Sequence, residues 1–290
     1  MTISPMAGRF LVIGADGLVG RHVAGALGSG EVVRTCRRAG CDVMLDITDA
    51  EAVREVIRAS KPTAVVLAAA NAWVEGCERD PVGTRRVNVD AARVVADAAR
   101  DAGALLVVFS SEYVFDGTAG PYRETAERHP INEYGRQKVE LEDIALATGR
   151  GLVCRTSAVF GEDPKRKNFV YQLVDHLRAG QTFDVPSDQV VTPTYAPSLA
   201  RAVIDLVRAG TTGTYHVAGP EVMSRVAFAN QVAIAHGLDV SRVRARKTSE
   251  LGLAAPRPAS AGLDTGKLGR RLTPVADALR EMARTRSAAR

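Results

Sequence analysis

Three residues in the middle of the chain carry chemistry by type and spacing: Ser111, Tyr134 and Lys138. In INEYGRQK, residues 131–138, the tyrosine and lysine stand four positions apart with a glycine between them. Positions i and i+4 share one face of a helix, so an ammonium can lie beside a phenol. Such a cation stabilises phenolate and is expected to lower the phenol pKa from about 10. A phenol tuned in that way exchanges a proton with a carbonyl while hydride moves. Ser111 closes an apolar run, ALLVVFS at 104–110 followed by a second serine, and its hydroxyl could hold a carbonyl oxygen where charge develops. Taken singly, a Y-x-x-x-K is also an ordinary solvated helix start, and a strand-end serine an ordinary turn.

These side chains need a frame. RFLVIGA (9–15), EVVRTCR (31–37), VMLDI (43–47), AVVLAAA (64–70), ALLVVFS and GLVCRTSAVF (151–160) read as strands. Helical patterns lie between them, at 18–27, 49–60, 82–101 and 133–148. Continuous apolar strands alternating with helices imply an α/β fold with a doubly wound parallel sheet covered on both faces. Strand ends on the carboxyl edge of such a sheet face the ligand crevice. We expect a dinucleotide-binding domain over residues 1–160. A smaller substrate lobe is expected over 161–290, with segments at about 190–219 returning to the main sheet. In that second part helices are expected at 169–178, 197–208 and 224–236, and a strand at GTYHVAG (213–219).

The turn after the first strand is GADGLVG, with Gly14, Gly17 and Gly20 followed by a helix. The spacing is one residue wider at its start than the usual dinucleotide fingerprint. Its place between strand and helix suits a pyrophosphate at a helix N-terminus, bonded by the amides from Gly17 through Leu18 and Val19. A plain strand-to-helix turn is the alternative. Asp16 is an awkward neighbour for phosphate, and its carboxylate is expected to point away. The second strand ends in Arg37 and Arg38 with no carboxylate, which favours a 2′-phosphate and hence NADPH, with NADH the weaker option and a solvated basic loop the alternative reading. Asp46 and Ile47 could flank the adenine, and Ala68, Ala69 and Ala70 end the apolar run at 64–70.

Composition closes off other classes. The chain has 290 residues, 46% of them apolar, which is enough for a sizeable core. No apolar run approaches the length of a membrane span, and MTISPMAGRF has no signal-peptide pattern, so a cytoplasmic location without membrane contact is expected. Net charge is +5 and aromatics are 5%, not interleaved with basic residues, which argues against nucleic acid. Histidines are scattered and no metal site is expected. Cys36, Cys41, Cys77 and Cys154 form no C-x-x-C and are expected to be reduced thiols. The final ARTRSAAR reads as a frayed basic tail, and Lys165, Arg166 and Lys167 as a solvated loop with diphosphate contact as the alternative.

In this combination the chain resembles the extended short-chain dehydrogenases/reductases, and within them the dTDP-4-dehydrorhamnose reductase family. The resemblance runs through GADGLVG, VEGCERDP (74–81), VNV (87–89), SSEYVFDG (110–117), PYRETA (121–126) and PINEYGRQKVELE (130–142). It continues through RTSAVFGE (155–162), KNF (167–169), SDQVVTPTYAPSLA (187–200), GTYHVAG and PRPAS (256–260). It implies that Tyr134 is the general acid, that Ser111 takes the hydroxyl role, and that Lys138 lowers the phenol pKa and binds the nicotinamide ribose. It further implies that Gly14, Gly17 and Gly20 hold the pyrophosphate, that the three alanines line the cofactor, and that Val74, Glu112 and Tyr113 contact the sugar. The implied reaction is reduction of a 4-keto group on a nucleotide-linked deoxysugar. Ala158 stands where the family usually has tryptophan, Trp73 where it has a small residue, and Ala72 replaces a threonine. Arg257 is kept in R-P-A-S, although the family's asparagine is lost. A same-fold epimerase, and an NADP-binding regulatory subunit like methionine adenosyltransferase β, are the competing implications. A homodimer is left open.

Overall fold

The computed structural model describes residues 9–288. Its frame begins with β1 (Phe10–Ile13), α1 (Leu18–Gly25), β2 (Val32–Cys36), β3 (Val43–Met44), α2 (Ala50–Ser60) and β4 (Ala64–Leu67). Then come α3 (Val74–Arg79), α4 (Pro81–Arg85), α5 (Ala91–Asp101), β5 (Leu105–Ser111), α6 (Glu133–Ala147) and β6 (Gly151–Thr156). The chain continues through β7 (Val159–Phe160), α7 (Phe169–Arg178), β8 (Phe183–Pro186), β9 (Val190–Val191), β10 (Thr194–Tyr195) and α8 (Ala196–Arg208). It finishes with β11 (Gly213–His216), β12 (Met223–Ser224), α9 (Arg225–Ala235), β13 (Val243–Arg246) and α10 (Val275–Ala288).

Seven parallel strands form the main sheet in the order β11-β6-β5-β4-β1-β2-β3. The order reverses at β1, and β1 and β4 end side by side at the crevice. Both faces are covered, as the unbroken apolar strands require. Val12, Val66 and Val107 meet Val23 of α1 and Leu199 and Val203 of α8 on one side. Leu11, Val65 and Leu106 meet Val53, Val95 and Leu141 of α2, α5 and α6 on the other. A separate apolar cluster joins α7, α9 and α10 through Leu173, Phe228 and Leu279. This cluster carries the second wall of the crevice.

The structure departs from sequence expectation at several elements. The single helix expected over 82–101 is three pieces, because the stretch Arg86–Asp90 widens to a π-helix between α4 and α5. The strand expected at 43–47 is only Val43–Met44. The strand expected over 151–160 is interrupted between β6 and β7, where Ala158 takes a left-handed backbone with φ +41°. The tail expected to fray is helical through Ala288 as part of α10. Finally, two of the expected thiols are not free. Cys36 and Cys41 form a disulfide, while Cys77 and Cys154 are buried thiols. Spacing alone did not show this, because β2 and β3 must pair before the two sulfurs approach.

Candidate active site

The glycine turn is built by close packing. Gly14 has φ +88°, and a Cβ there would lie 2.6 Å from the backbone nitrogen of Ala69. Ala68 and Ala69 amides both donate to the Ile13 carbonyl at 2.9 Å, so the end of β4 is fastened to the end of β1. Helix α1 starts at Gly17 without a side-chain cap, which leaves its first amides for an anion. Gly20 is buried inside α1 and packs on the Gly14 carbonyl; it supports the turn and does not face the crevice.

Above this turn opens a cleft of about 1430 Å³. Its walls include Gly14, Gly17, Arg37, Asp46, Ile47, Ala68, Ala69, Ala70, Val74, Tyr113 and Arg257. Eleven residues singled out from sequence therefore meet on one surface. Leu18, Val19, Arg38, Glu112 and Ala158 are not on it, and neither are Ser111, Tyr134 and Lys138, which are buried. Arg38 is exposed beyond the turn of the loop, and Ala158 lies in the break after β6. Asp46 turns its carboxylate onto Thr48, whose amide and hydroxyl hold it below the usual carboxylate range. Asp16 does not turn away: it lines the cleft and bonds Lys165 Nζ at 2.7 Å. Lys165 and Lys167 line the cleft while remaining exposed, and Asp163 accepts from both of their amides.

Helix α6 brings Tyr134 and Lys138 beside the end of β5. Asn132 caps it by accepting from the Gly135 amide at 2.8 Å. Gly135 touches the Tyr113 carbonyl so closely that a Cβ would sit 2.2 Å from that oxygen. Deeper in the helix, Glu142 accepts from Arg155 Nε and Nη2 at 2.8 and 2.7 Å and from Ser110 Oγ at 2.5 Å, all buried. These bonds lock the helix to β5 and β6. Tyr134 is 9% exposed and Lys138 4%. Tyr134 packs edge-on against the cleft-lining Tyr113 with ring centres 5.6 Å apart. Lys138 Nζ donates to the Phe109 carbonyl at 2.9 Å and lies 5.5 Å from the centre of the Tyr134 ring.

The electrostatics differ from expectation. Burial, followed by the nearby Glu112 carboxyl, raises the Tyr134 pKa, opposite to the direction expected from the lysine. Burial depresses Lys138 itself to about 8. Low dielectric opposes both charged forms, and here it outweighs the attraction that the i, i+4 spacing suggested. Ser111 Oγ donates to Glu112 Oε2 at 2.6 Å and accepts from the Tyr113 amide at 3.3 Å. Glu112, a sugar contact by resemblance, is buried behind the wall, where Ser157 Oγ donates to its other oxygen at 3.1 Å. Burial raises its pKa.

Several site residues escaped sequence reasoning. Ser157 also accepts from the Thr192 amide at 3.0 Å, linking the site to the second wall. Asn88, in the π-helical turn, grips both the amide and carbonyl of Asn71 at 2.7 and 3.0 Å, just past the alanine wall. Glu75 binds Arg257 Nη2 at 2.6 Å, while Arg257 Nη1 is buried without a partner. Arg225 lines the cleft and lies over Phe169. A polar residue between two valines, as at Asn88, was the one available signal.

The wall fits a phosphorylated dinucleotide on its own features: an uncapped helix start, a small-residue face, an apolar pair at Leu45 and Ile47, and a guanidinium at Arg37. Arg225, Arg257 and Lys167 add basic side chains to the lining. Among the described residues no group of His, Cys, Asp and Glu is arranged for a metal ion, and no helix is long and apolar enough to cross a membrane.

Comparison with known proteins supplies the remaining findings. A model described as the RmlD substrate binding domain matches residues 8–286. The chain is 34% identical over 257 residues to dTDP-4-keto-6-deoxy-D-glucose reductase of Streptomyces niveus, covering 87% of each. It is 32% identical to methionine adenosyltransferase 2 subunit beta of Xenopus laevis, covering 90% of this chain and 81% of that one. A crystal structure of dTDP-4-dehydrorhamnose reductase from Bacillus anthracis in complex with NADP superposes with a TM-score of 0.88 at 27% identity, covering 96% and 99%.

Proposed function

Since the chain belongs to the RmlD substrate binding domain family, we propose that it is an NADPH-dependent reductase of the 4-keto group of a nucleoside-diphosphate-linked deoxysugar. The observation that carries this reading is the position of Tyr134 and Lys138: buried, side by side, directly behind Tyr113 of a cleft that fits a dinucleotide phosphate.

The residues that hold the cofactor are the α1 amides over the pyrophosphate, Arg37 at the 2′-phosphate, Asp46 and Ile47 beside the adenine, and Ala68–Ala70 along the inner wall. When bound there, NADPH supplies the hydride. The chain supplies the proton. With its pKa raised, Tyr134 enters turnover as a neutral phenol and donates from Oη to the keto oxygen. Ser111 orients that hydroxyl, and its own O–H is held by Glu112. Lys138 is fixed by the Phe109 carbonyl, and its ammonium favours the tyrosinate left after transfer. Arg257 and Arg225 hold the diphosphate of the sugar nucleotide. Trp73 lines the cleft where the family usually has a small residue, so the sugar is selected against its ring.

The test is direct. Purified protein is mixed with NADPH and a set of nucleotide-linked 4-keto-6-deoxysugars, and loss of reduced-nicotinamide absorbance is followed. Stoichiometric, sugar-dependent loss is expected. Sugar conversion without net loss would make the protein an epimerase. The likeness to the methionine adenosyltransferase subunit favours one further outcome, NADPH binding without turnover, which would end the enzymatic reading.

A further inference from the structure

Cys36 and Cys41 bracket the segment that presents Arg37 to the cleft. The base of this segment is closed without them. Arg34 grips Asp42 with its guanidinium at 3.1 and 2.6 Å, and the two backbones exchange further bonds at 2.8 Å (to the Asp42 carboxylate) and 3.0 Å. Thr35 pairs with Val43, and Cys36 with Met44, in the sheet. Cys36 is buried at the end of β2, and Cys41 packs against the apolar layer that α1 and α8 cover. The disulfide therefore adds nothing to strand pairing. It constrains Arg37, Arg38, Ala39 and Gly40, all exposed and otherwise free of the sheet.

We propose that the Cys36–Cys41 disulfide is a positioning pair for cofactor specificity: closed, it fixes Arg37 toward the 2′-phosphate; open, it weakens discrimination between NADPH and NADH. This rests on the NADPH reading above. Arginine has many rotamers and a mobile backbone would add to them, so holding its segment in place removes an ordering cost from binding. The disulfide is opened by a dithiol reductant. One thiolate attacks Cys41 Sγ, the S–S bond breaks, and Cys36 leaves as thiolate and takes a proton. The second thiol of the reductant then displaces Cys41. Two electrons pass to the protein, and the reductant becomes a cyclic disulfide.

The experiment measures dissociation constants of NADPH and NADH through the fluorescence of Trp73, the chain's single tryptophan and a cleft residue. Air-oxidised protein, dithiothreitol-reduced protein and a Cys36→Ser/Cys41→Ser variant are compared. Oxidised protein should show two titratable thiols after denaturation, from Cys77 and Cys154. On reduction the NADPH constant should rise about 3- to 10-fold while the NADH constant stays the same, and the double variant should behave as the reduced protein. Equal NADPH constants in oxidised and reduced protein would overturn the proposal, as would four thiols in the oxidised sample. Equal NADPH and NADH constants in the oxidised protein would instead overturn the role of Arg37, and the proposal with it.

Discussion

At the scale of single residues, the site is a buried phenol and a buried amine that both resist charge. Removing the Tyr134 hydroxyl removes the proposed proton donor while leaving its ring against Tyr113. Tyr134→Phe should lower kcat by about 10²- to 10⁴-fold, with NADPH affinity unchanged by fluorescence titration. Lys138 sets a pH limit. Its pKa of about 8 means the ammonium is present below that pH and lost above it. The rate should therefore fall above about pH 8, and Lys138→Arg, which keeps its charge, should move that descending limb upward. Stability has the opposite sign. Between about 8 and the usual 10.5 the unfolded lysine binds more protons than the folded one, so the native state should gain resistance to urea as pH rises through that window.

At the scale of elements, the helix carrying this pair is placed by contacts that tolerate little change. Gly135→Ala would drive a methyl into the Tyr113 carbonyl. A loss of about 1–3 kcal/mol in urea stability is expected, with a fall in kcat because Tyr134 must shift with the helix. Much of this scale was legible in the sequence. Apolar runs such as FLVI and AVVL carry their strand character locally, and GADGLVG lies at a strand-to-helix junction whose geometry demands small residues. The π-helical turn at Arg86–Asp90 was not legible, because local propensity reads those residues as ordinary helix and only Asn88's grip on Asn71 gives the widening a role. The Glu112–Ser157–Thr192 chain was also hidden, since three separate segments must fold together before these polar groups meet. The shift of Tyr134 was misjudged for the same reason, and that of Lys138 was not foreseen: spacing shows a neighbour, but burial appears only in three dimensions.

At the scale of the whole molecule, the cleft is spanned by Asp16 and Lys165, residues 149 positions apart. Each side chain is about half exposed, so the pair adds little stability. The walls are instead held by His22, whose ring bonds the Glu162 carbonyl at 3.0 Å, and by the packing of α8 on α1. Lys165→Gln should leave the urea midpoint unchanged while speeding NADPH release in a stopped-flow displacement, because a cation over the pyrophosphate turn is lost. An unchanged release rate would show that the bridge has no part in retention.

The seventh strand of the main sheet, β11, is reached only after the chain has passed through α7 and β8–β10 of the second wall. Scission of the backbone near Gln181, between α7 and β8, would thus strand an edge of the main sheet on the fragment that holds β8–β10 and α9 of the second wall. Neither piece can complete its own interior. Melting should accordingly be a single calorimetric event, and mixing separately made halves should restore cofactor binding only if both are present during refolding.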